Sequence, residues 1–293
     1  MELPFQCDKP LRELSTFGIG GPARFFLEVH KIEEMQAAIR FCYEQKLPFF
    51  ILGKGSNSLF DDRGFDGVVL LNKISFCQFE WPLVHVGAGY SFSLLGTQTA
   101  RKGWSGLEFA SGIPGSVGGA IFMNAGANGA ECCETLFDVT FVTEKGDIEV
   151  LKRDQIAFSY RTSSFQQRKG AIVSAKFLLQ PSEEARQKQL GIIEYRTRTQ
   201  PYGDKSAGCV FRNPEDGKAG ALIQQSGLKG KRIGGAEVSM RHANFIVNRE
   251  GASARDILEL AAFVKHTVKE KTGVELEMEI RSVPYQMEED VSR

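Results

Sequence analysis

Residues 103–131 read GWSGLEFASGIPGSVGGAIFMNAGANGAE. Gly, Ala, Ser and Asn dominate the stretch, as they would a flexible tether. Yet Leu107, Phe109, Ile113, Val117, Ile121, Phe122 and Met123 recur through it at intervals a solvated linker has no use for. Gly112, Gly115, Gly118 and Gly119 remove the side chains that would hold a neighbour off the backbone, and they open angles that L-residues resist. Pro114 fixes its own φ and biases Ile113 toward an extended conformation, so a stiff, thin loop is expected. Such a loop offers its amide N–H groups to a bulky planar or phosphorylated ligand lying against the main chain. A tight packing junction between two elements needs the same glycines, and the stretch alone leaves both readings open.

Upstream, Phe49-Phe50-Ile51-Leu52 reads as a buried strand that runs straight into Gly53-Lys54-Gly55-Ser56-Asn57. A strand emptying into Gly-x-Gly-Ser-Asn presents consecutive backbone donors and two short polar side chains, which suits a pyrophosphate. It is neither a Walker loop nor the Rossmann fingerprint, because the required glycines are missing and no helix follows; a plain strand–turn remains the alternative.

At 293 residues the chain has room for one large core or two to three smaller ones. Lys+Arg and Asp+Glu number 36 each, so no global field draws the chain to nucleic acid or an anionic membrane. No run is long and apolar enough to span a bilayer, and MELPFQCDKP lacks the basic-then-apolar order of a signal peptide. The cysteines show no metal-ligand spacing and His30, His85, His242 and His266 are scattered. Reduced thiols, a cytoplasmic location and no metal site are expected.

Around these loops the periodicities predict a helix over 31–46, with Met35, Ala38, Ile39 and Cys42 on its inner face, and another over 93–102. Strands are expected at 23–29, 67–71, 84–86 and 171–179, with a glycine-turned hairpin from 138–143 and 147–151. A polar helical connector, 182–198, marks a domain boundary. Beyond it come an extended 207–211, a helix at 219–226, and a strand at 243–248. The helix 254–271 is capped by Ser253, stopped by Gly273, and striped with Ile257, Leu258, Ala261, Val264 and Val268. A strand over 274–283 alternates Leu276, Met278 and Ile280 with Glu277, Glu279 and Arg281, and the acidic tail after Pro284 is expected to fray. Strands and helices mix without a regular βαβ repeat, which gives an α+β fold.

Six blocks in order carry a resemblance: LGKGSNSLF, GLEFASGIPGSVGGAIFMNAGANGAE, FSYRTSSF, AGCVFRNP, HANFIVN and LEMEIR. Together they resemble the UDP-N-acetylenolpyruvoylglucosamine reductase (MurB) family, in its shorter type II form, over nearly the whole chain. The resemblance implies an FAD-binding domain of the vanillyl-alcohol-oxidase (PCMH) type in two subdomains, 1–75 and 76–198, and an α+β substrate-binding domain at 199–293. It implies non-covalent FAD, NADPH as reductant, and reduction of UDP-N-acetylglucosamine enolpyruvate to UDP-N-acetylmuramate by a monomer. FAD would be held by Gly53, Lys54, Gly55, Ser56 and Asn57. Its other contacts would be Ser111, Gly112, Ile113, Pro114, Gly115, Ser116, Gly118, Gly119 and Asn124. Tyr160, Arg212 and Asn213 would bind substrate. The family's catalytic set falls on Arg161, Glu279 and Cys209, the last replacing the family's usual serine. A thiol, with a pKa of about 8.5, is a stronger acid than a hydroxyl, so a proton-donor role survives the exchange. By residue chemistry alone, Tyr160-Arg161 is a surface pair, Cys209 a small buried hydrophobe, and strand alternation does not separate Glu279 from Glu277. Another flavin oxidoreductase of the same fold, or a non-catalytic nucleotide-binding protein, is the rival reading.

Overall fold

The computed structural model describes residues 3–215 and 217–286, so the expected fraying after 286 lies outside the described residues. The chain forms two compact units, and it passes between them more than once. One comprises the segment up to Gln6, Phe26–Lys54 and Val68–Arg196; the other comprises Cys7–Phe25, Gly55–Gly67 and Thr197 onward.

The first unit is built on a five-stranded antiparallel sheet. Its order is Ile148–Lys152, Leu136–Thr143, Gly170–Leu178, Leu83–Gly87, Cys77–Glu80. Val84, Val86, Val139, Phe141, Ala175 and Phe177 are buried with residues of helix α2 (Phe92–Arg101) and α3 (Val117–Phe122) in one core. The preceding helix, α1 (Ile32–Glu44), buries the expected Met35, Ala38, Ile39 and Cys42. Strand Phe49–Leu52 pairs in parallel with 68–71, and only Leu52 of the four is fully buried. The expectation of a wholly buried strand is corrected: among the described residues, 49–52 is the terminal strand of a four-stranded sheet, with a neighbour on one side only.

The organising stretch is also corrected. Residues 117–122 are helical, not loop. Val117, Ala120 and Ile121 are buried at i, i+3, i+4, the spacing of one helix face. Ser116 caps the helix by accepting from Gly119 N–H at 3.3 Å. Gly118, a poor helix former, is explained by packing: a Cβ there would lie 3.0 Å from Ala88 Cβ.

The second unit carries a three-stranded antiparallel sheet of Arg232–Ile233, Ala236–Val238 and Ile246–Asn248, shorter at its last strand than expected because 243–244 turn and Phe245 bridges to Cys209 instead. The long helix Ala254–Thr272 lies on it, with Ser253 and Asp256 forming a capping box and Gly273 in the left-handed region at φ 74°. Its inner face is Ile257, Leu260, Ala261, Val264 and Val268, whereas Leu258 is 39% exposed. At 100° per residue, 260 follows 257 around one face and 258 does not. Past Gly273, among the described residues, only Arg281–Val283 is a strand, paired in parallel with Ser58–Phe60. The 274–280 segment pairs with 210–212 through the Met278–Phe211 bridge and its two flanking bonds but is not a strand, so the expected long strand is corrected. Leu276 and Ile280 stay buried as the alternation requires.

Candidate active site

In the first unit, Gly53 and Lys54 leave the strand end beside the start of α2 and α3. Ser91 caps α2, and its backbone bridges that of Ser116, the cap of α3. Phe92 N–H donates to Gly115 C=O at 3.0 Å and Val117 N–H to Tyr90 C=O at 2.9 Å, which fixes the two helix starts side by side. A Cβ at Gly53 would overlap Ser116 Oγ, so only glycine lets this backbone approach the cap. Lys54 Nζ donates to Ser91 Oγ at 2.8 Å. Although Lys54 is exposed as a residue, burial around its ammonium, and then the charge of Lys73, hold its pKa below the usual lysine value. Ser93 Oγ accepts from Gly112 N–H at 2.7 Å, and Ile113 and Gly115 close successive turns through Ala110 and Ile113 carbonyls. Ser111 is fully buried, its Oγ 3.5 Å from Thr97 Oγ1.

Among the described residues, none of the five consecutive amides from Gly53 to Asn57 donates to a protein acceptor. In the first unit the unengaged amides of Gly53 and Lys54 and the Lys54 ammonium form an anion cradle, donors of the kind a dinucleotide's diphosphate requires. The residues therefore fit FAD.

Arg161 stands in the two-residue turn between the paired segments Phe158–Ser159 and Thr162–Ser163, at φ 57°. That angle is costly for a residue with a Cβ and is held by surrounding contacts. Arg161 Nη2 donates to Gly126 C=O at 2.9 Å, its guanidinium lies 4.8 Å from the ring centre of half-exposed Tyr160, and Gln166 Nε2 donates to its carbonyl at 3.1 Å. Asn124, fully buried at φ 43°, donates to Glu131 Oε2 at 2.8 Å and to Ser159 C=O at 3.0 Å, and accepts from Cys133 N–H at 3.1 Å. Its amide thus ties the end of the glycine-rich stretch to the arginine turn.

In the second unit, the segment 209–212 runs antiparallel to 277–279. Glu279 N–H donates to Val210 C=O at 2.7 Å and Arg212 N–H to Glu277 C=O at 2.8 Å, with Phe211 opposite Met278. This pairing brings half-buried Cys209, Arg212 and half-buried Glu279 onto two adjacent segments. Glu277 is separated from Glu279 by environment: its side chain is 74% exposed, 3.9 Å from Arg212 Nη1. Arg212 Nε is enclosed with no acceptor among the described residues. Asn213 Oδ1 accepts from Ala219 N–H at 3.1 Å, at the start of the helix Ala219–Gln225. Gly55, at φ 62°, has its carbonyl held by Thr16 N–H and Oγ1 at 3.2 and 3.3 Å. Asn57 Nδ2 donates to Glu279 C=O at 3.2 Å and its own carbonyl accepts from Arg281 N–H at 2.9 Å. Asn57 therefore stitches the 55–57 segment to the segment that carries Glu279. Nearby, Lys231 Nζ stacks 4.6 Å from the ring centre of Phe263 and Arg232 pairs with buried Glu237.

Sequence reasoning missed Ser91, Ser93 and Asn244. A serine opening a helix is a readable cap signal, so the first two were available; Asn244 was not, because its partner lies 33 residues away.

Residues 200–283 match the family model for the UDP-N-acetylenolpyruvoylglucosamine reductase C-terminal domain, and the chain carries an FAD binding domain over residues 23–152. It is 62% identical over 288 residues to the UDP-N-acetylenolpyruvoylglucosamine reductase of Protochlamydia amoebophila (strain UWE25), covering 97% of this chain and 96% of that one. It is 48% identical over 278 residues to the enzyme of the same name from Chlamydia muridarum (strain MoPn / Nigg), covering 94% of each. The crystal structure of the Thermus caldophilus enzyme superposes with a TM-score of 0.83 at 35% identity, covering 97% of this chain and all of that one.

Proposed function

The chain belongs to the UDP-N-acetylenolpyruvoylglucosamine reductase family, and from that premise we propose that it reduces UDP-N-acetylglucosamine enolpyruvate to UDP-N-acetylmuramate with NADPH. The observation that carries this reading is the backbone pairing of the 209–212 and 277–279 segments, two adjacent segments whose sequence supplies a thiol, a guanidinium and a carboxylate. FAD, when bound, takes hydride from NADPH and supplies it to the substrate. Gly53–Asn57 and the 112–116 turns would hold it, while Asn124 positions the arginine turn.

Hydride added at the methylene carbon of the enol ether leaves an electron pair on the neighbouring carbon, delocalised into its carboxylate. Arg161 supplies a fixed cation for that charge, and its fork matches a carboxylate. Cys209 gives its proton to the carbon, and Glu279 assists from the adjacent segment and returns the thiol to its protonated form. One NADPH and one proton are consumed for each product formed. Arg212 Nε, a buried donor in need of an acceptor, meets an oxygen of the UDP-substrate, with Tyr160 and Asn213 completing its contacts. On this reading the enzyme is a cytoplasmic monomer, with residues 1–75 and 76–198 for FAD and 199–293 for substrate.

The test is NADPH oxidation by the flavin-loaded enzyme with and without the enolpyruvyl substrate. Rapid oxidation only on adding substrate, with UDP-N-acetylmuramate as product, is expected. Equal oxidation driven by oxygen alone would identify an oxidase and overturn the reading.

A further inference from the structure

Asn244 occupies the turn between the strands Ala236–Val238 and Ile246–Asn248 and is buried. Its side-chain amide pairs with both sides of one residue: Oδ1 accepts from Phe211 N–H at 3.0 Å and Nδ2 donates to Phe211 C=O at 2.8 Å. Its backbone carbonyl accepts from Val210 N–H at 2.8 Å. The amide therefore stands in for a peptide unit of a neighbouring strand, on the edge of the 209–212 segment opposite 277–279. With both edges bonded, the segment has no register to slip into. Nothing in the assigned chemistry uses Asn244, yet Cys209 lies two residues before its partner and Arg212 one residue after it.

We infer that Asn244 is a positioning residue, whose amide sets where the Cys209 thiol and the Arg212 guanidinium are held. The inference rests on the proposed reaction for what those two groups do, but not for where Asn244 puts them. Its own turn supplies the rigidity. Asn244 N–H donates to His242 Nδ1 at 3.3 Å, Phe245 N–H to His242 C=O at 2.9 Å, and Ser239 N–H to Phe245 C=O at 2.8 Å. Loss of the amide leaves the buried N–H and C=O of Phe211 without their partners, while the Val210 N–H to Asn244 C=O bond and the Cys209–Phe245 bridge stay, so the segment shifts by a few tenths of an ångström and does not come away. Such a shift is enough to slow a proton transfer and weaken a substrate contact.

The experiment is a double-mutant cycle on the flavin-loaded enzyme, with Asn244→Ser crossed with Cys209→Ala. Asn244→Asp, which keeps an acceptor for Phe211 N–H, serves if the serine variant does not fold. The flavin-reduction step with NADPH is expected to stay within about twofold of wild type. The substrate-driven step should slow by about 10- to 100-fold, with a raised KM, and the asparagine change should add less than about threefold when Cys209 is already alanine. A merely structural role would lower both steps together and add fully to the cysteine change; either result overturns the inference. A second readout needs no substrate: the rate at which iodoacetamide alkylates Cys209, followed by peptide mass spectrometry. An alkylation rate equal to wild type overturns the inference. A wild-type enzyme that ignores the enol ether overturns the proposed reaction instead, and the alkylation rate then judges Asn244 on its own.

Discussion

Gly53→Ala is the most economical perturbation of the cradle. The added methyl would overlap Ser116 Oγ, and Ser116 is only 3% exposed, so it has little room to withdraw. Two responses are open. Ser116 can turn away and lose its cap bond to Gly119 N–H, which costs about 1 kcal/mol. Alternatively the backbone of 53–54 can move off the helix starts, an overpacking response that costs about 1–3 kcal/mol. Charged wholly to the loaded state, about 1–3 kcal/mol is a loss of about 5- to 150-fold in FAD affinity. The assay is titration of apoprotein with FAD followed by quenching of flavin fluorescence, together with a thermal melt of each variant. Ser116→Ala removes the atom that is struck, so adding Gly53→Ala in that background should cost clearly less than it does alone. Wild-type FAD affinity in Gly53→Ala, or an equal cost in both backgrounds, would refute the contact reasoning.

The other expectations concern single groups. Cys209→Ser should keep most activity, whereas Cys209→Ala should slow the substrate-driven step by about a hundredfold and leave flavin reduction intact; wild-type turnover in the alanine variant would remove the thiol from the mechanism. Arg161→Ala and Glu279→Gln should likewise spare flavin reduction and slow the second step, and equal loss in both half-reactions would contradict their assignment to substrate charge. Lys54 attracts the FAD diphosphate only while protonated, and its pKa lies below the usual lysine value through burial and then Lys73. FAD affinity should therefore be level near neutral pH and fall as the solution turns alkaline; an undiminished fall in Lys54→Met, titrated from pH 7 to 9.5, would place the dependence elsewhere. Leu260→Ala should cost about 2–5 kcal/mol in urea unfolding and Leu258→Ala well under that, and the reverse order would overturn the helix face described above.

What the sequence made legible was what repeats at short range. The inner face of 32–44 was read correctly because Met35, Ala38, Ile39 and Cys42 sit at helical spacing with charges between them. The hairpin 136–152 followed from two alternating runs about a glycine turn. The two main errors have different causes. Glycine at 118 and 119 argued for loop, while Val117, Ala120 and Ile121 already carried a helix period. Alternation over 274–283 argued for a full strand, but a strand needs a partner of matching length, and the 209–212 segment is too short to provide one.

The candidate site divides along the same line. The donors of Gly53–Asn57 were legible because a strand running into Gly-Lys-Gly-Ser-Asn exposes its amides by local geometry alone. Arg161 was not, since a Tyr-Arg pair on its own is an ordinary surface feature. Its left-handed backbone and its bond to Gly126 depend on chain 35 residues away. Glu279 and Glu277 were indistinguishable by alternation, and only the fold gives them different surroundings, with Asn57 holding the backbone of one and solvent bathing the other. Asn244 lies furthest from any sequence signal. An asparagine whose amide substitutes for a strand's peptide group obeys no period, because what it mimics is a hydrogen-bonding edge and not a position in a pattern. A residue of that kind becomes visible only when every buried donor and acceptor near the reacting groups has been traced to its partner. The same accounting exposes Arg212 Nε as a buried donor without an acceptor among the described residues.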